Sequence, residues 1–317
     1  MQRKLIIGTR GSPLALYQAH WVQKELAKLT EREIIVKTFV TTGDRLKGEL
    51  RDFGGKGLFT KELEQALLEG DIDMAVHSMK DVPTLGQDGL EIGAIMPRED
   101  PRDAFISQKG EGLMHLPPGA VIGTASLRRR AQISRLRPDI KFNLLRGNVE
   151  TRLQKLSDGK CDGTCLAYAG LKRLSQAHVI TEILPIDVIL PAPAQGAVGV
   201  EIRAADKDIG EIISGLDHDK THISVIAERA FLRALDGSCR TPIAALAVWE
   251  GEGLIFKGEI FSPDGNTHYE RGAEINMPAS LHKTDRLALA KKRGADMGHD
   301  ILKEAGGRFA WSDGAAF

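Results

Sequence analysis

The sequence predicts an α/β protein of two lobes with mixed, mostly parallel sheets, followed by a third, small α+β domain with an antiparallel sheet. Three observations carry this reading. Over the first two thirds of the chain, short apolar runs alternate with amphipathic stretches, the pattern of strands joined by crossover helices. Two Pro-rich segments, Met96-Pro97-Arg98-Glu99-Asp100-Pro101 and Leu190-Pro191-Ala192-Pro193-Ala194-Gln195-Gly196, interrupt that alternation and point to a chain that passes twice through a hinge. From about Thr221 the texture changes to closely spaced strands with a Pro263-Asp264-Gly265 turn, which is hairpin grammar. A chain of 317 residues also exceeds what one hydrophobic core usually serves. The expected partition is residues 1–96 with 197–216 as domain 1, 97–196 as domain 2 and 217–317 as domain 3.

In chain order, the apolar runs predict strands at 4–8, 34–41, 74–76, 90–95, 120–123, 142–145, 163–167 and 198–202. Helical periodicity predicts helices at 13–29, 61–69, 127–136, 149–156 and 169–176. In the third domain a helix at 224–235 precedes strands at 246–249, 254–261 and 267–274. A last amphipathic helix at 283–304 then covers one face of the small sheet.

Composition narrows the function. Hydrophobic residues make up 42% and charged residues 27%, as in a soluble globular chain and unlike a disordered one. Lys plus Arg number 43 and Asp plus Glu 43, so no global basic field draws the chain to nucleic acid or an anionic membrane. The amino terminus lacks the apolar core of a signal peptide, and the most apolar stretch, 183–202, is broken by Pro185, Asp187, Pro191, Pro193 and Glu201. Three cysteines, Cys161, Cys165 and Cys239, are too few for a disulfide framework. A cytoplasmic protein without membrane spans is expected. No metal site is expected either, because Cys161 and Cys165 have no partner pair and the nine histidines form no H-E-x-x-H.

One local design occurs three times: a strand, a short polar turn with Arg, then a helix. It is found at Gly8-Thr9-Arg10-Gly11-Ser12-Pro13, at Gly123-Thr124-Ala125-Ser126-Leu127-Arg128-Arg129 and at Leu145-Arg146-Gly147-Asn148-Val149. Ser12, Ser126 and Asn148 are good N-caps, and Pro13 suits a first helical position. Each helix start offers unpaired N–H groups and a positive dipole end to an anion. Single instances are commonly no more than ordinary capping. Three together, with seven Arg between 128 and 152, point to a ligand carrying several carboxylates or phosphates. Low aromatic content (5%) makes RNA a weaker choice, since stacking platforms are lacking.

Two further segments can carry chemistry. In Met74-Ala75-Val76-His77-Ser78-Met79-Lys80-Asp81-Val82-Pro83, an apolar strand ends in polar groups. There Lys80 could hold an anion and Asp81 could stabilise a cation or exchange a proton. In Gly237-Ser238-Cys239-Arg240, the neighbouring guanidinium favours the nucleophilic thiolate at Cys239. The Gly-rich run 54–60 reads equally as a plain loop or as a lid.

Together these segments resemble the porphobilinogen deaminase (hydroxymethylbilane synthase) family. The resemblance runs from Ile7 to about Ala244 through GTRGSPLAL, GGKGLFTKELE, AVHSMKDVP, REDPRDAF, GTASLRRR, LRGNVETRL, LAYAGLKRL, AQGAVGVE and GSCRTPIA. It implies a transferase that condenses four porphobilinogen molecules head to tail with loss of ammonia, giving hydroxymethylbilane. It also implies a covalent dipyrromethane cofactor joined to Cys239 by a thioether, a monomer, and lobes like those of periplasmic binding proteins. By family position, Asp81 is catalytic, while Ser78, Lys80, Thr124, Ser126, Arg128, Arg129, Arg146 and Arg152 hold cofactor and chain carboxylates. Arg10, Ser12, Gln18 and Arg173 would line the substrate path with Arg146 and Arg152, and Lys56 and Phe59 would belong to a lid. The chain departs from the common pattern at Ala194, where many relatives have Gly, and at Ala125, Cys165 and Tyr168. A reversible receptor for di- or tricarboxylates is the alternative from another class; it has no use for Cys239 or for a third domain.

Overall fold

A computed structural model describes residues 3–45, 57–235, 237, 241–262 and 264–306. The chain gathers into two compact units, residues 1–99 with 196–223 and residues 100–195 with 224–317.

In the first unit, β1 (Leu5–Arg10) lies parallel to β2 (Ile34–Phe39) and to β3 (Met74–Ser78). The returning strand β10 (Val198–Arg203) runs antiparallel between β3 and β4 (Leu90–Ile95), so the order is β2-β1-β3-β10-β4. One face of the sheet packs Leu5, Ile7, Met74, Val76, Val198 and Val200 against α1 (Pro13–Leu26) and α7 (Lys207–Ser214). On the other, Ala75 meets Leu63 and Leu67 of α3 (Lys61–Leu68), which follows the single turn α2 (Thr42–Arg45). Burial on both faces explains why the central strands β1, β3 and β10 are mostly apolar.

The second unit repeats that topology. Here β6 (Val121–Gly123) lies parallel to β7 (Lys141–Asn143) and β8 (Gly163–Ala167). The antiparallel strand β5 (Asp103–Ser107) then joins β8 to β9 (Glu182–Ile183), giving β7-β6-β8-β5-β9. Crossovers run through α4 (Leu127–Leu136) and α5 (Val149–Ser157), and α6 (Tyr168–Arg173) follows β8. The same unit holds the antiparallel sheet β11 (Ile243–Glu250), β12 (Gly253–Phe261) and β13 (His268–Asn276), with α9 (Lys283–Ala305) and, from residue 224 on, α8 (Asp219–Ala234). The two helices touch backbone to backbone, since a Cβ at Gly294 would overlap the Ala227 carbonyl oxygen. Ala131 of α4, Leu190, and Ala244, Leu246 and Phe261 of the small sheet form one buried cluster, so that sheet is seated on α4.

Strands β5 and β9 and helix α7 have no counterpart in the sequence reading. β5 is short and opens on a charge next to Arg102, which masks its apolar run; α7 contains Gly210, which weakens its helical signal. Helix α8 begins at Asp219, before the expected 224.

At Ala194 the backbone is left-handed (φ 62°), and its N–H donates to the buried Glu228 carboxylate at 2.6 Å. An L side chain is strained in this conformation, which glycine adopts without cost. Ala194→Gly is therefore expected to stabilise the fold by about 1 kcal/mol in urea unfolding. An unchanged or lower midpoint would count against stored strain.

Candidate active site

In the first unit, β1 hands over to α1 through Arg10, Gly11 and Ser12. The Ser12 hydroxyl accepts from the Ala15 N–H at 3.3 Å, and the Arg10 guanidinium lies 4.4 Å over the Phe59 ring. One turn into α1, the buried Gln18 points its amide at Ser78, whose Oγ lies 2.9 Å from Nε2 and 3.0 Å from Oε1. Arg10, Ser12, Gln18 and Ser78 thus lie where two neighbouring parallel strands end, Gln18 beneath the surface. Ligands bind at this end in sheets of this kind.

The chain then forms a 3₁₀ turn over Met79–Asp81. Met79 is buried and anchors the turn: its N–H donates to the Ala197 carbonyl at 3.0 Å, and its sulfur fills the space that a Cβ at Gly199 would occupy. Lys80 and Asp81 are left half-buried. Beneath them the buried His77 meets Glu201 of β10 (Nε2 to Oε2, 2.9 Å), a pair that the sequence reading missed because its members are 124 residues apart. A carboxylate and an ammonium on a fixed turn can face developing positive charge and an anion respectively.

In the second unit, Ser126 caps α4 by accepting from the Arg129 N–H, while the Oγ1 of the buried Thr124 accepts from the Ser126 N–H at 3.1 Å. The same turn carries a buried charge cluster. Arg128 Nη2 and Arg129 Nη2 donate to the two oxygens of Asp103, each at 2.7 Å, and Arg129 Nε adds a bond at 3.2 Å. Gln195 Nε2 supplies the fourth donor at 2.8 Å. The remaining Nη1 groups go to backbone, Arg128 to the Leu190 carbonyl and Arg129 to the Cys165 carbonyl, both at 2.8 Å. Asp103 is fully buried, and Arg128 and Arg129 are 4% and 5% exposed.

Burial alone would push the Asp103 carboxyl up. The Arg128 and Arg129 charges and the hydrogen bonds from Arg129 and Gln195 outweigh it, holding the group well below the usual carboxylate range. Burial lowers the Arg128 guanidinium from its ordinary value, the Asp103 charge compensating only in part. The Nε of Arg128 is buried and has no hydrogen-bond partner. Two guanidiniums against one carboxylate leave net positive charge at a helix start, together with an undonated N–H.

The third helix start is also capped, Asn148 Oδ1 accepting from the Thr151 N–H at 2.9 Å. Arg146 and Arg152 flank it, both half-buried; Lys155 donates to the Arg146 carbonyl and Arg152 Nε to the Gly147 carbonyl. Arg173 is buried in the last turn of α6. The seven Arg counted between 128 and 152 therefore do different work. Arg137 is spent on Asp139 and on the carbonyls of Leu113, Met114 and Leu116, Arg135 donates to His268, and Arg130 lies over Phe142. Cys239 and Lys56 lie outside the described residues.

Cys161 and Cys165 are buried thiols, and burial pushes Cys165 up to about 12. Glu259, His268 and Glu270 bring potential metal-ligand atoms within 4.8 Å of one another, but cationic side chains already serve them. Lys257 Nζ lies 2.8 Å from Glu259 and 3.5 Å from Glu270, and Arg135 Nη1 lies 3.3 Å from His268 Nε2.

Comparison with known proteins decides the family. Residues 5–211 match the model of the porphobilinogen deaminase dipyrromethane cofactor-binding domain, and residues 222–303 match that of the porphobilinogen deaminase C-terminal domain. The chain belongs to the porphobilinogen deaminase family. It is 49% identical over 307 residues to the porphobilinogen deaminase of Nitrobacter winogradskyi, covering 96% of this chain and 94% of that one. Among solved structures it is similar to the second substrate-binding domain of an amino acid ABC transporter protein from Streptococcus pneumoniae (14% identity, TM-score 0.43, 68% of this chain and 92% of that one). A Salmonella typhimurium periplasmic binding protein of high arginine specificity is another such neighbour (14% identity, TM-score 0.41, 68% and 92%). Among the described residues, no helix is long and apolar enough to cross a membrane.

The residues present fit the dipyrromethane group of porphobilinogen deaminases. That group carries carboxylates, and the structure offers a net-positive guanidinium pair with an orphaned buried Nε at a capped helix start.

Proposed function

We propose that this chain is a transferase that condenses four porphobilinogen molecules head to tail, with release of ammonia, and delivers hydroxymethylbilane. The observation that carries the reading is the Arg128–Arg129–Asp103 cluster, placed within the sequence that matches the dipyrromethane cofactor-binding domain. We read residues 1–96 with 197–216 as domain 1, 97–196 as domain 2 and 217–317 as domain 3, in a cytoplasmic monomer.

Bound through a thioether to Cys239, dipyrromethane supplies the free pyrrole α-carbon to which each substrate is added. Arg128 and Arg129, oriented before any ligand arrives, take its carboxylates with Lys80, Ser78, Thr124 and Ser126. Arg146 and Arg152 serve the growing chain, which with its primer carries about twelve carboxylates when complete, each suited to a fork-shaped donor. Arg10, Ser12, Gln18 and Arg173 receive the acetate and propionate of incoming porphobilinogen. Asp81 stabilises the positive charge that develops as ammonia leaves and accepts a proton from the pyrrole ring. Its seat on the turn held by Met79 lets it do so without reorganisation, which is where electrostatic catalysis draws its strength. Phe59, whose ring meets the Arg10 guanidinium, we read as part of a lid.

Intact mass of the purified chain and of Cys239→Ser tests this reading. A wild-type excess equal to two linked pyrroles, absent in the variant, is expected. An unmodified, folded wild type from cells that make porphobilinogen would leave the Arg groups as a reversible anion receptor and overturn it.

A further inference from the structure

Asp103 occupies the first position of β5, where a buried carboxylate persists only if its charge is answered. One guanidinium would neutralise it, yet it holds two, from consecutive residues of α4, and Gln195 binds it as well. Among the described residues it is the only carboxylate bonded to either Arg. We propose that Asp103 is a positioning residue of the cofactor-binding site: it fixes Arg128 and Arg129 in one orientation and leaves one positive charge unanswered, ready for a pyrrole-borne carboxylate.

Three features separate this from a purely structural ion pair. The cluster is charged +2 against −1, an arrangement that costs stability unless an anion completes it, and the N-terminus of α4 adds to the same positive field. The donors that remain are not randomly distributed, because Arg128 keeps its Nε undonated while Arg129 has its Nε and both Nη groups engaged. Gln195 Nε2 also donates to the Pro101 carbonyl at 2.7 Å, so the carboxylate is itself held from two distant segments and does not follow the guanidiniums if they move. A pair of long side chains is thereby preorganised, and binding proceeds without first ordering them.

The inference rests on the reading of this chain as a porphobilinogen-condensing enzyme, and the test keeps the two apart. Apo full-length chain, made in cells that cannot form porphobilinogen, is incubated with porphobilinogen, and adduct formation at Cys239 is followed by intact mass against porphobilinogen concentration. Wild type, Asp103→Asn, Asp103→Glu and Gln195→Met are compared, with melting curves run in parallel. In Asp103→Asn the half-saturating concentration is expected to rise at least tenfold, with partial return in Asp103→Glu, which restores the charge. Gln195→Met removes only a neutral donor, so it decides the matter should Asp103→Asn not fold; a rise of two- to fivefold is expected. A merely structural Asp103 would lower melting temperatures while the folded fraction kept the wild-type half-saturation, and that result overturns the inference. Absence of any adduct in the wild type would instead overturn the function on which it rests.

Discussion

Asp81→Asn is expected to lower porphobilinogen turnover by roughly 10²–10³-fold, the scale found when one preorganised electrostatic group is removed from a reacting centre. The substitution keeps shape and volume and removes the negative charge and the proton-accepting oxygen. The turn itself should survive, because its anchors are the Met79 N–H on the Ala197 carbonyl and the Met79 side chain against Gly199, neither of which involves the Asp81 carboxylate. Binding through Arg128 and Arg129 is equally untouched, so the variant should still carry its two-pyrrole adduct by intact mass. The loss belongs in kcat more than in KM, since the charge that Asp81 answers arises only as ammonia departs. Steady-state porphobilinogen consumption by adduct-bearing protein is the measurement. Turnover within threefold of wild type would remove Asp81 from the chemistry.

How much of this was legible in the sequence depended on the range of the interactions. Ser12, Ser126 and Asn148 were readable as caps because each bonds an N–H three residues onward, and all three do so in the structure. The helix starts and the polar end of β3 were visible for the same reason. The Asp103 cluster was not, although REDPRDAF lay in plain view: beside Arg102 and Asp100 it reads as one more surface charge, and its partners are 25, 26 and 92 residues away. Nor could the run of seven Arg be apportioned between anion binding and structure, because Arg137 and Arg135 find their partners only after β11 to β13 and the segment at 113–116 are in place. The same limit hid β5, whose membership in the sheet depends on pairing with β8 some sixty residues later. At Cys239 spacing left the role open, and the family motif supplied it.

Arg128 and Arg129 are adjacent and carry the same charge, yet their replacements are expected to differ. Removing either leaves a neutral pair with Asp103, so overall charge does not distinguish them; geometry does. Arg129 gives Asp103 two nitrogens and also holds the Cys165 carbonyl. Arg128 gives Asp103 one nitrogen and donates to the Leu190 carbonyl, which Gln132 also reaches at 3.1 Å. Hydrogen bonds to charged groups contribute about 1.5–3 kcal/mol each. With part of that offset by relief of the surplus positive charge, Arg129→Met should cost roughly 3 kcal/mol of stability and Arg128→Met roughly 1–2. Adduct formation should invert the order of the defects relative to folding: Arg128→Met stays folded and loads poorly, because the undonated Nε has gone, whereas Arg129→Met loses folded protein first. Urea unfolding and intact mass on the same preparations read the two quantities separately. Equal stability losses in the two variants, or normal loading in Arg128→Met, would mean that the two guanidiniums are interchangeable and that the asymmetric bonding around Asp103 has no functional consequence.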